Sequence, residues 1–424
     1  MTGMTLTEKI IARTANLEIV IPGEEIWVSP DRMSMNDTTG PRRIAGLIEE
    51  LGGLKDKNKV ILASDHFFPP ANIRHAEILK QTREWAQTQK IDNFYEYQGV
   101  LHNLLLQEGH ILPGMLLVGA DSHTVTAGAV GAVAVAVGST ELATVLATGK
   151  MWMRVPKTIR IELTGKLVPF VDLRDITMHI LKDLGSDHAL YSAIEYHGDF
   201  TQNINIEERL VLTNQGIEMG AKNAVVSPTP KLLAEIELEG KNNDDFQPVY
   251  SDSDAIFHSE HQYKVNKLDP LIAFPHTVDN VQSVSTAPKT KMNYAWIGSC
   301  VGGRFADLKS AAEVVKGKKV KIPLFINPAT SEISNKALDQ GIIKILVDAG
   351  AIIQPAGCGA CAGLHSGVAA AGENIIATAT RNFQGRMGSR ESSVYLASPY
   401  TVAASAVAGR IIDPREIALE RRAV

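Results

Sequence analysis

The chain has 424 residues, with 42 Lys and Arg against 47 Asp and Glu and a formal net charge of −5. That length exceeds what one hydrophobic core supports, so two or three domains are expected, and 45% hydrophobic with 21% charged residues is the balance of a globular chain. The acidic balance argues against non-specific binding to nucleic acid or an anionic membrane, and three cysteines cannot pair off into a disulfide framework.

In chain order, the N-terminal MTGMTLTEKIIARTANLEIV has no basic region followed by a long apolar run. A signal peptide is therefore not expected, and the cysteine usage suits a reducing compartment, most simply cytoplasm. Residues 41–52 read as a helix, with apolar residues at three- and four-residue spacing, as do residues 76–90. VILASDHF (60–67) and MLLVGADSHT (115–124) read as buried strands that end in polar residues. The run TAGAVGAVAVAVGST (126–140) lacks the spacing of a phosphate loop, and its small residues suit close helix packing. The apolar part of this run is also far shorter than a bilayer span.

A boundary is expected near Val155-Pro156, before the strand-like TIRIELTG, and another within the turn-rich Pro275–Lys291 stretch. Residues 238–254 read as a solvated excursion. Strand-like and helical runs alternate throughout, and no fixed-period repeat occurs. The expected fold class is α/β, in three α/β domains near 1–154, 155–284 and 285–424.

Three constellations carry chemistry. Cys300 lies in the glycine-lined turn IGSCVGGR, and Cys358-x-x-Cys361 lies in QPAGCGACAGLH. A CxxC pair alone serves redox, zinc and cluster sites alike. Structural thiols usually sit among large apolar neighbours, whereas glycines at 357, 359 and 363 permit close backbone approach to a metal centre. Three thiolates are one short of a tetrahedral zinc shell, but they can hold three irons of a 4Fe–4S cluster and leave the fourth open as a Lewis acid.

Histidines beside carboxylates form the second set. Asp65-His66 and Asp121-Ser122-His123 each end a strand-like run, with His102 between them in sequence. One such pair is most often a structural hydrogen bond, but two at strand ends in one domain strengthen the case for proton transfer. Arg381 and Arg386 flank a glycine turn in TRNFQGRMG and suit bidentate carboxylate binding, although surface salt bridges are the commoner use of such arginines. His75, His110, His179, His258 and His261 have no distinctive spacing and read as structural or surface residues.

With these residues in view, the chain resembles the aconitase superfamily, most closely the large subunits of two-chain enzymes of the 3-isopropylmalate dehydratase and homoaconitase type. The likeness runs nearly end to end, through SDHFFPP, GVLHN, VGADSHT, GSTELATVLATGK, IEYHGD, TNQGIEMGAKN, IGSC, CGAC, RNFQGRMG and YLASPYTVAASAVAGRI. The resemblance implies three α/β domains around a central iron–sulfur cleft, lacking the fourth, swivelling domain. It implies a 4Fe–4S cluster on Cys300, Cys358 and Cys361, with Asn214 beside it. Three carboxylate–histidine pairs are implied: Asp65 with His66, Asp121 with His102, and Glu218 with His123. Asn36, Ser122, Arg381 and Arg386 match positions near the substrate.

The implied reaction is reversible dehydration of a 2-hydroxy di- or tricarboxylate, most simply 3-isopropylmalate. Homoaconitate-type acids, 2-methylmalate, 2,3-dimethylmalate and maleate are nearby alternatives. His66 resembles the acid that protonates the leaving hydroxyl. The base is, in the family, a serine on the swivelling domain, expected here on a separate small subunit. Some surroundings depart from the family pattern. Val301-Gly302-Gly303 stands where Thr-Asn-Gly is usual, Thr380 replaces an asparagine, Ala127 a tyrosine and His188 a glycine. These departures point to altered substrate preference. Two other classes remain: a cluster-free RNA- or protein-binding relative, disfavoured by the acidic balance, and a thiol-redox or zinc protein built on CGAC.

Overall fold

The computed structural model describes residues 3–241 and 247–419, so part of the expected 238–254 excursion lies outside the described residues. Short, continuously apolar strands dominate. Val60–Ser64, Leu116–Gly119 and Tyr294–Ile297 are buried at every position. Such runs belong in parallel sheets covered on both faces, where no side chain meets water.

Three larger sheets result. The first is wholly parallel, with Arg32–Asn36 at its centre between Val60–Ser64 and Leu116–Gly119, and Phe94–Glu96 and Val133–Ala136 at its edges. The second, also parallel, orders Asn223–Val226, Ser192–His197, Lys157–Thr164 and Ser259–Lys264. The third has seven strands around Tyr294–Ile297 and Asn374–Ala377. Its short strands Leu271–Ala273 and Val281–Ser283 run antiparallel at one edge, so residues before position 284 already pair with the third sheet. A separate antiparallel ribbon joins Glu25–Val28 to Met151–Arg154.

Helices cover the sheets. Pro41–Glu50 starts with proline at its first turn and buries Ile44 and Ile48. Ile73–Gln89 is capped by the Asn72 side chain on the His75 amide. The glycine-rich run differs from the helix-packing expectation: Ser122–Val130 is a 3-10 turn and Val133–Ala136 a strand. Close approach is nevertheless its function, because a Cβ on Gly128 would lie 1.8 Å from the Ala224 carbonyl oxygen. Among the described residues no helix is long and apolar enough to cross a membrane.

The cores meet where the chemistry-bearing residues lie. Cys300 packs in a cluster with Ile61 and Leu101 from the first region and Leu210 from the second. Cys361 belongs to the core shared by the second and third sheets.

Candidate functional site

Strand ends in the first sheet deliver one wall of the site. Asp65 and His66 follow Val60–Ser64 directly, and His66 Nδ1 lies 2.6 Å from Asp65 Oδ1. The other Asp65 oxygen accepts the Leu101 amide at 2.8 Å, which fixes the start of the short helix Leu101–Gln107 that carries His102. His102 Nε2 reaches Asp121 Oδ1 at 3.0 Å, and the same oxygen accepts the His123 amide. Asn36 Nδ2 donates to Asp121 Oδ2 at 3.2 Å.

The second region closes this wall. Glu218, on the 3-10 turn Gln215–Met219, places Oε1 3.2 Å from His123 Nε2. Arg381 donates from Nε to both Glu218 oxygens, at 2.8 and 2.9 Å, and from Nη1 to Ser122 Oγ at 3.1 Å. Arg386, also from the third region, lies 3.8 Å from Cys361 Sγ, and its buried Nε has no partner among the described residues.

The cysteines come from glycine turns after strands of the third sheet. None is in a disulfide. Ser299, just before Cys300, has φ +76, a conformation a non-glycine residue rarely adopts. Asn214 Nδ2 donates to Cys300 Sγ at 3.1 Å. The Cys358 amide donates to the Asp65 carbonyl at 3.0 Å, which ties the cysteine wall to the histidine wall. All three cysteines, His66, His102 and His123, Asp121, Ser122 and both arginines line one cavity of about 100 Å³. Asp65, Glu218, Asn36 and Asn214 each stand one hydrogen bond behind a lining residue.

The charges are unequally settled. Burial alone would raise Asp121, but His102 and His123 hold it well below the usual carboxylate range. Burial likewise opposes ionised Glu218, which His123 and Arg381 hold low. His66 is raised well above its ordinary value, because the Cys358 sulfur and Asp65 outweigh burial. His123 is raised by its bonds to Asp121 and Glu218 against burial. The thiols behave differently. Burial and the neighbouring sulfurs push Cys300 well up, and burial carries Cys358 up to about 12. Cys361 falls to about 7, because Arg386 and the Thr380 amide outweigh burial.

A larger cavity, of about 430 Å³, opens behind this site between Asn103, Glu207 and Lys336. Among the described residues it is lined by no histidine or cysteine, and it meets the site at Asn103, whose side chain donates to the Cys300 carbonyl at 3.2 Å.

The family model for the aconitase family (aconitate hydratase) matches residues 8–409. The chain belongs to the aconitase family. It is 42% identical to the 3-isopropylmalate dehydratase large subunit 1 of Methanopyrus kandleri over 418 residues, 97% of this chain and 99% of that one. Against the large subunit 1 of the same name from Pyrococcus furiosus it is 42% identical over 425 residues, 98% of this chain and 100% of the relative. A probable methanogen homoaconitase large subunit from Methanothermobacter thermautotrophicus is 41% identical over 424 residues, covering 98% and 99%. Among solved structures, holo aconitase X of Thermococcus kodakaraensis superposes with a TM-score of 0.51 at 14% identity, covering 88% of each chain; that likeness concerns the fold.

The departures from the family pattern have structural counterparts. A Cβ on Gly302 would lie 2.1 Å from Thr378 Oγ1, so the Thr378 side chain fills the space beside this glycine. Thr380 Oγ1 lies 3.7 Å from Cys361 Sγ. His188 is exposed, its Nε2 3.2 Å from His261 Nε2, and does not line the cavity. Ala127 is buried within the 3-10 turn.

Two residues escaped the sequence reading. Asp37 is buried and accepts the His66 and Phe67 amides, at 3.2 and 3.0 Å. Its signal was a carboxylate directly after Asn36 at a strand end. Arg174 is the other. An arginine inside the apolar stripe of Leu173–Leu184 was the signal there.

Proposed function

We propose that this chain is the cluster-bearing large subunit of a hydro-lyase that reversibly dehydrates a 2-hydroxy di- or tricarboxylate, with 3-isopropylmalate as leading substrate. The observation that carries the reading is the convergence of three carboxylate–histidine pairs, two arginines and three free cysteines on one cavity. The names of the relatives support the substrate class and the need for a small subunit. The three larger sheets serve as cores of three domains, and the compartment is the cytoplasm.

The donor set fits a 4Fe–4S cluster on Cys300, Cys358 and Cys361. Two of these thiols are pushed up by burial and by the neighbouring sulfurs, so three adjacent thiolates require cationic metal to be stable. When bound, the cluster supplies an open Lewis-acidic iron to the substrate hydroxyl and a carboxylate. The protein residues do the rest. His66, oriented by its 2.6 Å hydrogen bond to Asp65, delivers a proton to the leaving hydroxyl. Asp121 and Glu218 fix the ring orientations of His102 and His123. Arg386, with its unmet Nε, and Arg381 bind substrate carboxylates. The serine base and further arginines come from the small subunit with its swivelling domain.

The test is anaerobic co-expression with the small subunit and assay of 2-alkylmalates and unsaturated diacids by enoate absorbance. Turnover that needs both chains is expected, best on 3-isopropylmalate. Dehydratase activity from the large chain alone would overturn the partner requirement, and an intact cluster with no turnover would overturn the reaction class. A single-ion reading has one observation in its favour: ligand atoms of Asp65, His66 and Cys358 all lie within 4.8 Å of one another. Zinc without sulfide would support that alternative.

A further inference from the structure

Arg174 is a guanidinium inside the protein, with 2% of its surface exposed. It comes from the first turn of the helix Leu173–Leu184 in the second region, where Asp172 caps its amide at 2.8 Å. Its side chain crosses into the third region and donates to two consecutive carbonyls: Nη1 to Thr378 at 3.3 Å and Nη2 to Ala379. Among the described residues its Nε has no hydrogen-bond partner, and the Asp172 carboxylate that acts on it electrostatically bonds its backbone amide. Burying a charge is costly, so such a cation persists only where the surroundings use it.

Those two carbonyls belong to a knot that sets the cysteine wall. The Thr378 carbonyl also accepts Ser299 Oγ at 3.4 Å, beside Cys300. The Thr378 hydroxyl accepts the Gly298 amide at 2.9 Å and donates to the Gly298 carbonyl at 3.0 Å. Two residues on, Thr380 faces Cys361, and Arg381 holds Glu218 and Ser122. One fork therefore grips the segment that orients a cysteine turn, a cysteine contact and a carboxylate-binding arginine. The guanidinium also lies within electrostatic range of Asp172 first, and then of Cys361, Glu218 and Cys300.

We infer that Arg174 is a positioning residue for the dehydration site: its fork fixes the Thr378–Arg381 segment, and its charge faces the cysteine centre from behind. This rests on the cluster reading above. A cation close to a cluster favours the more negative, reduced state, so the charge raises the reduction potential.

The test uses the holo-complex with its small subunit, reconstituted anaerobically, and compares wild type, R174K and R174M. Iron and sulfide content of the wild type comes first; their absence would refute the cluster reading and not the role of Arg174. With the wild-type cluster present, R174M should move the cluster midpoint potential to a more negative value and alter its EPR signal. R174K keeps the charge but not the fork. It should hold the wild-type potential while kcat/KM falls by about tenfold or more, the scale of a lost charge-assisted hydrogen bond. If R174M does not fold, R174K decides alone. A wild-type potential in R174M would overturn the inference, as would a displaced potential or an unchanged kcat/KM in R174K.

Discussion

The two walls of the cavity are built on opposite electrostatic terms. On the histidine wall the two central carboxylates are answered: Asp121 faces His102 and His123, and Glu218 faces His123 and Arg381. These carboxylates are held low and His123 high, so this part of the wall is charged and ordered by the chain's own side chains. On the cysteine wall the balance fails. Cys300 and Cys358 are pushed up, and only Cys361, beside Arg386, is eased into the thiolate range. The pairs of one wall are set by the polypeptide, and the other is the wall proposed to be completed by metal. Catalysis gains most from groups already in place, and metal loading from ligands that release protons on binding.

The contrast predicts separable failures. His66→Asn removes the proposed proton donor from the histidine wall; kcat should fall by about 10²- to 10⁴-fold with iron and sulfide content unchanged. Loss of the cluster in that variant would break the distinction between the walls. Gly302→Ala strikes the cysteine wall instead. Its Cβ would meet Thr378 Oγ1 at 2.1 Å and the Gly298 carbonyl at 2.5 Å. The variant should lose about 1–3 kcal/mol of stability in urea melts, together with cluster occupancy.

The smallest expected effect concerns Asp37, a buried carboxylate of the histidine wall whose pKa is raised. Burial and Asp65 raise it from 3.8 to about 6, against the pull of His66 and two backbone amides. Between those values the folded chain keeps a proton that the unfolded chain has released. Its contribution to stability is therefore present at low pH and lost as pH rises through about 6. Asp37→Asn should gain on wild type from pH 4 to pH 7, by on the order of 1 kcal/mol or more, and no further above it. A difference in melting that does not change with pH would show that Asp37 is ionised throughout.

Much of this site is legible in the sequence, because strand ends and glycine turns announce themselves locally. Asp65-His66 directly follows one buried strand and Asp121-Ser122-His123 follows another after a single residue, and the cysteines stand among glycines. Glu218 is different. It meets His123 across 95 residues from a 3-10 turn with no periodic signal, so only the family resemblance pointed to it. The glycine-rich run misled on element type, because small residues permit close packing of a turn on a strand as readily as of two helices. Arg174 was illegible for a related reason. A cation on an apolar helix stripe looks like noise until the carbonyls it serves, 204 and 205 residues away, are brought to it.

The central claim is that the cysteine wall is completed by an iron–sulfur cluster. Iron, zinc and acid-labile sulfide should be quantified in the anaerobically purified chain and in Cys358→Ser. The account predicts about four irons and four sulfides per chain in the wild type, and loss of both in the variant. Zinc without sulfide in the wild type, or an undiminished cluster in Cys358→Ser, would contradict it.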